Sequence, residues 1–156
     1  MNAARRVDSI VQEVTIRGSA ERIFEALTTP AQVLQWWRGE DKFKLTRMDV
    51  DLRIGGVWKM TGTRRDGRPL AVSGVYRRIE RPRLLVYSWI RGDEGEDTSE
   101  TSVRFDLLEK DGVTTVRVTH SGFTTEEQRS RHSGWSKVVV LLQGYVEGNA
   151  FVGAGF

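Results

Sequence analysis

No cysteine occurs anywhere in the 156-residue chain, which excludes disulfides, thiol catalysis and cysteine-based zinc sites. Proline is nearly absent too, with three residues, each at a boundary or turn of the pattern. The longest unbroken apolar run is Val138 to Leu142, far too short to cross a bilayer. The stretch Met1 to Ser9 has no apolar segment, so no secretory signal is expected. Neither sign of charge dominates: 24 Lys and Arg stand against 21 Asp and Glu, a net charge of +3, and arginine supplies 19 of the 24 cations. A basic bias at 64–83 (Arg64, Arg65, Arg68, Arg77, Arg78, Arg81, Arg83) and an acidic one at 93–100 remain. Nucleic-acid binding asks for cations interleaved with exposed aromatics on one face. The basic stretch is instead broken by turns and reads as a solvated strand face, so neither a nucleic-acid nor a membrane partner is expected. There is no GxSxG, no phosphate-cradling glycine loop and no GxGxxG, so no cofactor is expected. The two histidines lack carboxylates at ligand spacing, and no metal site is expected. What remains is one cytoplasmic domain spanning 1–156, with a core of about 7–148 and a short tail that includes Gly153 and Gly155.

What is present falls into three blocks. Alternation of Ile10, Gln12, Val14 and Ile16 with Val11, Glu13 and Thr15 predicts a strand over 7–17. Ser19 is placed as an N-cap, and Ala20, Ile23, Phe24 and Leu27 follow at helical spacing. Thr29 caps a second helix with Pro30 at its first position. Pro30, Val33, Leu34 and Trp37 form its stripe, and Trp36 lies off it. Strands are then predicted at 44–53, 56–64, 70–80, 83–91, 99–110 and 113–122. They are separated by Gly55-Gly56, Asp66-Gly67, Arg81-Pro82, the acidic loop and Asp111-Gly112. The last block reads as one long helix. It opens on a capping box, Thr125-Glu-Glu-Gln128, carries the stripe Trp135, Val138, Val139, Leu142, Tyr145 and Val146 widened by Val140 and Leu141, and stops at Gly148. A helix this apolar needs a large partner, and the sheet is the one available. The expected fold is α+β: a curved seven-stranded antiparallel sheet wrapped round a long C-terminal helix, with two short helices after the first strand. Such a sheet leaves a space beside the helix where a small molecule can bind.

The segments SAERIFEALTTPAQVLQWW (19–37), DLRIGGVWKM (51–60), GVYRRIERPRLLVYSW (74–89) and THSGF (119–123), followed by Gly134-Trp135, carry a resemblance. In this order the chain resembles the activator of heat-shock-protein-90 ATPase homologue-like family of the START and birch-allergen-like helix-grip (SRPBCC) superfamily, over about 10–148. The resemblance implies the helix-grip fold and a cavity for a small hydrophobic ligand, aromatic or lipid-like. It also implies two alternatives: a polyketide cyclase- or dehydratase-like enzyme in the same cavity, or a co-regulator of a chaperone ATPase. Against the last, the founding activators carry an additional N-terminal domain with no counterpart here. A monomer or a homodimer is expected.

The residues themselves leave core and cavity roles open. The candidate ligand-binding set is Trp36, Trp37, Met48, Trp58, Met60, Tyr87, Trp89, Phe105, His120, Phe123, Trp135, Val139 and Leu142. Trp58 and Trp89, mid-strand, lean toward the cavity, each with its N–H toward a polar group. Trp37 and Trp135 lean toward core, and Trp36 toward the cavity mouth. Met48 and Met60 flank the glycine hairpin, where methionine suits an adaptable wall. Leu85, Tyr87 and Trp89 share one strand face, and Gly134 is read as the point where the helix approaches the sheet closely. His120 lies on the apolar face with Thr114, Val116 and Val118. It is a hydrogen-bond partner for a ligand, an acid–base group, or a satisfied histidine joining the strand end to the long helix. His132 is read as partly exposed. No catalytic residue is assigned; in an enzyme, His120, Tyr87 and Glu13 would be the polar groups to test.

Overall fold

The computed structural model describes residues 9–39, 42–92 and 99–148. The tail glycines 153 and 155 and most of the acidic loop lie outside them. The elements in chain order are β1 (Ile10–Arg17), α1 (Ala20–Thr28), α2 (Pro30–Trp36), β2 (Phe43–Val50), β3 (Val57–Arg64) and β4 (Pro69–Glu80). They continue with β5 (Leu84–Arg91), β6 (Thr101–Lys110), β7 (Val113–Ser121), α3 (Glu126–Ser130) and α4 (Trp135–Glu147). The seven strands form one antiparallel sheet in the order β1-β7-β6-β5-β4-β3-β2. It is a meander from β2 to β7, closed by β1 returning beside β7.

The period of two sorts the faces. On β7, Thr114, Val116, Val118 and His120 are buried while Arg117 faces out. Register shifts at Leu45/Arg47 and Tyr76/Arg78 bend the sheet, since an unpaired extra residue increases local twist. The β6–β7 hairpin turns on Asp111 and Gly112, both at positive φ (54° and 79°), the backbone that a tight two-residue turn requires. The two glycines before β3 divide the work expected of them. Gly55 sits at φ +86° in open space, whereas a Cβ on Gly56 would lie 2.0 Å from the Asp51 carbonyl oxygen.

The short helices follow the sequence with one exchange. Ser19 caps α1 by accepting from the Arg22 N–H at 3.0 Å, and Ala20, Ile23, Phe24 and Leu27 are buried. Thr29 is the N-cap of α2, but its side chain makes no capping bond. The buried stripe of α2 is Val33 and Trp36 rather than Val33 and Trp37. The helix ends at Trp36, and Trp37 has extended backbone, φ −85° and ψ 92°, which takes its side chain off the helical face. Trp36 is therefore a core residue and not a mouth residue; its Nε1–H donates to the Ala26 carbonyl at 2.9 Å.

The helix expected from Thr125 onward is in two pieces. Thr125 caps α3, accepting from the Gln128 N–H at 3.0 Å. Gln128 does not complete the box. Its side chain is buried, with Oε1 accepting from the Thr124 N–H (2.8 Å) and Nε2 donating to Ser99 Oγ (2.7 Å). His132 Nδ1 donates to the Gln128 carbonyl at 2.8 Å, which satisfies an end group of α3. Residues 131–134 then turn, and α4 starts after Gly134. Ser133 and Gly134 contribute little helix propensity to oppose that turn. α4 lies in the curve of the sheet with Trp135, Val139 and Leu142 buried, and ends at Gly148 in the left-handed conformation (φ 80°). Val140 does not widen the buried face; it is 57% exposed. Nor is Gly134 the point of close approach, because a Cβ there would meet nothing within 4 Å. That point is Gly18, where a Cβ would lie 2.7 Å from Val146 Cγ1. Arg17 N–H to Glu147 (2.8 Å) and Gln143 to the Thr15 carbonyl (2.9 Å) hold α4 to β1.

Candidate functional site

Because the concave sheet cannot follow a straight helix along its whole length, a space of about 340 Å³ opens at the N-terminal end of α4. Its sheet wall comes from Phe43 and Leu45 on β2, Met60 and Arg64 on β3, Leu70 and Val72 on β4, and Trp89 and Arg91 on β5. The segment after α2 adds Trp37, Arg38 and Gly39, with Lys42 beyond it. The corner between α3 and α4 adds Arg131, His132, Gly134, Trp135, Lys137 and Val138. Arg131, Gly134 and Lys137 are exposed, so the space opens to solvent on that side.

Three indoles form the inner wall. Trp37 stacks on Trp89 (centroids 6.2 Å, planes 24° apart) and meets Trp135 edge-on at 5.6 Å, while Trp89 and Trp135 are 5.8 Å apart. Offset and edge contacts of this kind are the favoured aromatic geometries. Trp37 also stacks on Trp36 at 5.4 Å, so the core tryptophan backs the half-buried one. The chemistry of the space is thus flat and apolar inside and cationic around its edge.

Of the thirteen candidate ligand-binding residues, Trp37, Met60, Trp89 and Trp135 line this space. The others pack around or behind it. Met48 is half-buried opposite Met60 in the β2–β3 register. Tyr87 and Trp58 meet edge-on at 5.1 Å, Phe105 packs edge-on to Trp135 at 5.9 Å, and Phe123 lies against His120 at 4.7 Å. Val139 and Leu142 are on the core face of α4. Trp58 is buried, and its Nε1–H, like that of Trp89, meets no acceptor among the described residues, contrary to the expected polar contact. A Cβ on Gly74 would lie 1.8 Å from the Ser88 carbonyl oxygen and 2.7 Å from Trp58 Nε1, so the glycine lets the neighbouring strand and the indole both approach.

His120 is fully buried and does not line the cavity. Its Nδ1 accepts from Trp135 Nε1–H at 2.9 Å. Its Nε2 lies 2.7 Å from Thr101 Oγ1, whose hydroxyl donates to the Trp89 carbonyl at 3.2 Å. These bonds assign the ring proton to Nε2. Burial, with His132 close by (ring centroids 5.0 Å), pushes its pKa down to about 3. The ring is neutral at physiological pH and joins the end of β7 to the start of α4. Tyr87 is buried, which raises its pKa well above the ordinary value. It lies in one cross-strand row with His120, but Val103 stands between them. Glu13 is on the outer face, paired with Arg117 at 2.9 Å. The three acid–base candidates are therefore not assembled, and Glu13 is separated from the other two by the sheet.

The residues that sequence reasoning passed over are the cations and the small apolar wall. Extending the period of two would have found several: Arg64 follows Met60 on one face of β3, and Arg91 follows Trp89 on β5. Other arginines of the basic stretch pair with surface carboxylates, and Arg81 also lies over the Phe24 ring of α1 at 5.1 Å. Arg68, Arg78, Arg81 and Arg83 pair with Asp66, Glu80, Glu21 and Glu80, and Arg77 pairs with Glu100.

A meander gripping a C-terminal helix, with two short helices after the first strand and an apolar cavity at the helix end, defines the helix-grip class of START-like domains. The family model described as "Activator of Hsp90 ATPase homolog 1-like protein" matches residues 17–147, and the chain belongs to that family. No curated protein matches the sequence. Solved structures share the fold. Protein CV1439 from Chromobacterium violaceum is 20% identical, with 90% of this chain and 97% of that one covered and a TM-score of 0.78. The AHSA1-like protein from Aeromonas hydrophila is 23% identical, with 90% and 92% covered and a TM-score of 0.72. The Aha1 dimer from Colwellia psychrerythraea is 22% identical, with 92% and 99% covered and a TM-score of 0.64. No helix among the described residues is long and apolar enough to cross a membrane.

Proposed function

We propose that the chain acts as a single cytoplasmic domain that binds a small hydrophobic molecule, aromatic or lipid-like, in the cavity beside the N-terminal end of α4. The observation that carries this reading is the wall of three indoles, Trp37, Trp89 and Trp135, on a solvent-open space of about 340 Å³. Sites for small molecules run from roughly 300 to 1,000 Å³ and are mostly apolar, so this one suits a compact ligand. An apolar ring can pack against the indoles where they line the space. The Colwellia psychrerythraea relative is described as a dimer; here the cavity is built within one copy, so binding requires no second one. The test is native mass spectrometry on protein purified gently from its own host. A discrete mass increment released on denaturation is expected. An apo mass, together with no saturable binding of an apolar probe such as naphthalenemethanol, overturns the reading.

A further inference from the structure

The walls of the cavity are not held alike. The sheet wall consists of strands within the hydrogen-bonded ladder from β2 to β5. Trp37 is stacked against both Trp36 and Trp89, and α4 is anchored by the buried Trp135, Val139 and Leu142. The last wall is the corner that brings Arg131, His132 and Gly134 to the cavity. It closes the segment 124–133, which contains α3. Phe123 before this segment and Trp135 after it are buried, but within it only Gln128 is. No apolar residue occurs from Thr124 to Ser133, so the hydrophobic effect that fixes the other walls has little to act on here.

What holds the segment is polar. Gln128 N–H donates to Thr125 Oγ1 at 3.0 Å, and Gln128 Oε1 accepts from the Thr124 N–H at 2.8 Å. These bonds are internal and would travel with the segment. The bond from Gln128 Nε2–H to Ser99 Oγ, at 2.7 Å, instead crosses to the approach of β6. At the other end the His132 ring rests against Phe123 (centroids 5.5 Å) and edge-on to Trp89 (6.3 Å). Gly134 follows with room to turn, since a Cβ there would meet nothing within 4 Å. The mouth as it stands exposes the rim more than the indoles: Trp89 is 8% and Trp135 4% exposed. A ligand packed on all three indoles needs a wall to yield. Local opening favours the segment with the fewest buried apolar contacts.

We infer that residues 124–133 are the lid of the cavity, lifting from Ser99 to admit the ligand and closing behind it, with Gln128 as the latch. The inference rests on the ligand-binding reading above and adds how the site is entered. Neither Gln128 nor Ser99 lines the cavity, so the latch favours the closed form equally with and without ligand. It therefore sets how often the lid opens, and not how tightly the ligand is held. Opening of such lids governs both entry and release.

Stopped-flow binding of naphthalenemethanol to the whole chain, followed by indole fluorescence, tests the lid. Ser99→Ala and Gln128→Met each remove the bond across the gap. Each is expected to raise kon and koff together by about fivefold, on the scale of one net hydrogen bond, and to leave Kd, their ratio, unchanged. Hydrogen exchange on the unaltered protein is the second readout and carries the test should the variants not fold. The amides of α3 are expected to exchange faster than those of α4, and to slow when naphthalenemethanol is added. Wild-type rates in a folded variant, or a rise in koff alone with weaker Kd, overturn the lid and leave the hydrophobic-cavity reading standing. Protection of α3 equal to that of α4 and indifferent to the probe does the same. Failure of naphthalenemethanol to bind at all overturns both.

Discussion

His120 joins two elements through a ring that must stay neutral. Its removal leaves the Trp135 N–H without its acceptor in the interior, while the Thr101 hydroxyl keeps its bond to the Trp89 carbonyl. An unsatisfied buried group costs about 1–3 kcal/mol, and the lost ring leaves a cavity besides. His120→Ala is therefore expected to destabilise by on the order of 4 kcal/mol at neutral pH, read from urea unfolding midpoints. The pH dependence has a definite sign. The folded pKa is about 3 and the ordinary value is 6.5, so between these limits the unfolded chain binds the proton and the folded chain does not. The wild type's stability from this group is complete above 6.5 and declines as pH falls toward 3, by on the order of 4 kcal/mol over the whole window. Glu21, Asp66, Glu80 and Glu100 also have lowered pKa values through their arginine partners and lose stabilisation in the same direction. They are common to wild type and variant, so the gap between the two proteins isolates His120. That gap is expected to narrow from pH 7 to pH 4; a constant gap would mean that the ring's neutrality is not what the fold depends on. The placement of His120 on the apolar strand face was legible from the alternation along β7. The choice between Trp36 and Trp37 was not, because it depends on α2 ending at Trp36, and neither glycine nor proline marks that end.

At the scale of elements, two glycine pairs separate close approach from conformational freedom. Gly55→Ala places a Cβ in open space at φ +86°, a left-handed cost of roughly 1–2 kcal/mol. Gly56→Ala drives a Cβ into the Asp51 carbonyl, so the turn must rearrange. It is expected to cost on the order of 4 kcal/mol, in the range reserved for named structural conflicts. Thermal or urea unfolding distinguishes the two, and equal losses would contradict the geometry. The second pair tests where α4 meets the sheet. Gly18→Ala meets Val146 and is expected to cost about 1–3 kcal/mol, as overpacking does. Gly134→Ala meets nothing and stays within about 0.5 kcal/mol of wild type. From the residues alone the Gly134-Trp135 pair was the better candidate for close approach. The actual contact is between Gly18 and Val146, far apart in the chain, and only tertiary packing brings them together. The division between α3 and α4 was hidden for a related reason. Thr125 to Gln128 has the spacing of a capping box, and no proline lies between Gln128 and Gly148. The buried bonds of Gln128 to Thr124 and Ser99 tie α3 to the start of β6, and that long-range tie accompanies the turn at 131–134.

For the molecule as a whole, periodicity and turn residues suffice for the architecture, because a seven-strand meander and one apolar helix have few ways to bury their faces. The cavity's lining is less legible. It is the part of the concave face that α4 does not reach, and which strand positions fall there depends on sheet curvature set by the two register shifts. Hence residues of equal hydrophobicity on the same faces divide between core, as Trp58 and Tyr87, and cavity, as Met60 and Trp89. A single substitution tests that division. Val72 is 5% exposed and lines the space from β4. Val72→Phe directs a ring into an existing void rather than into packed core, so it is expected to hold stability or raise it by about 0.5–2 kcal/mol, as cavity-filling changes do. The same ring occupies the volume a ligand would take, so binding of naphthalenemethanol is expected to fall by about tenfold or more, the cost of lost apolar contact in a site of this kind. A ligand that binds only the folded chain also raises Tm in proportion to the logarithm of its concentration, so one thermal titration reads both effects. Tm in the variant starts at or above the wild-type value and then fails to climb with added probe. Were Val72→Phe to lower Tm while leaving the climb intact, the space at the end of α4 would be packed core in solution and the ligand would bind elsewhere.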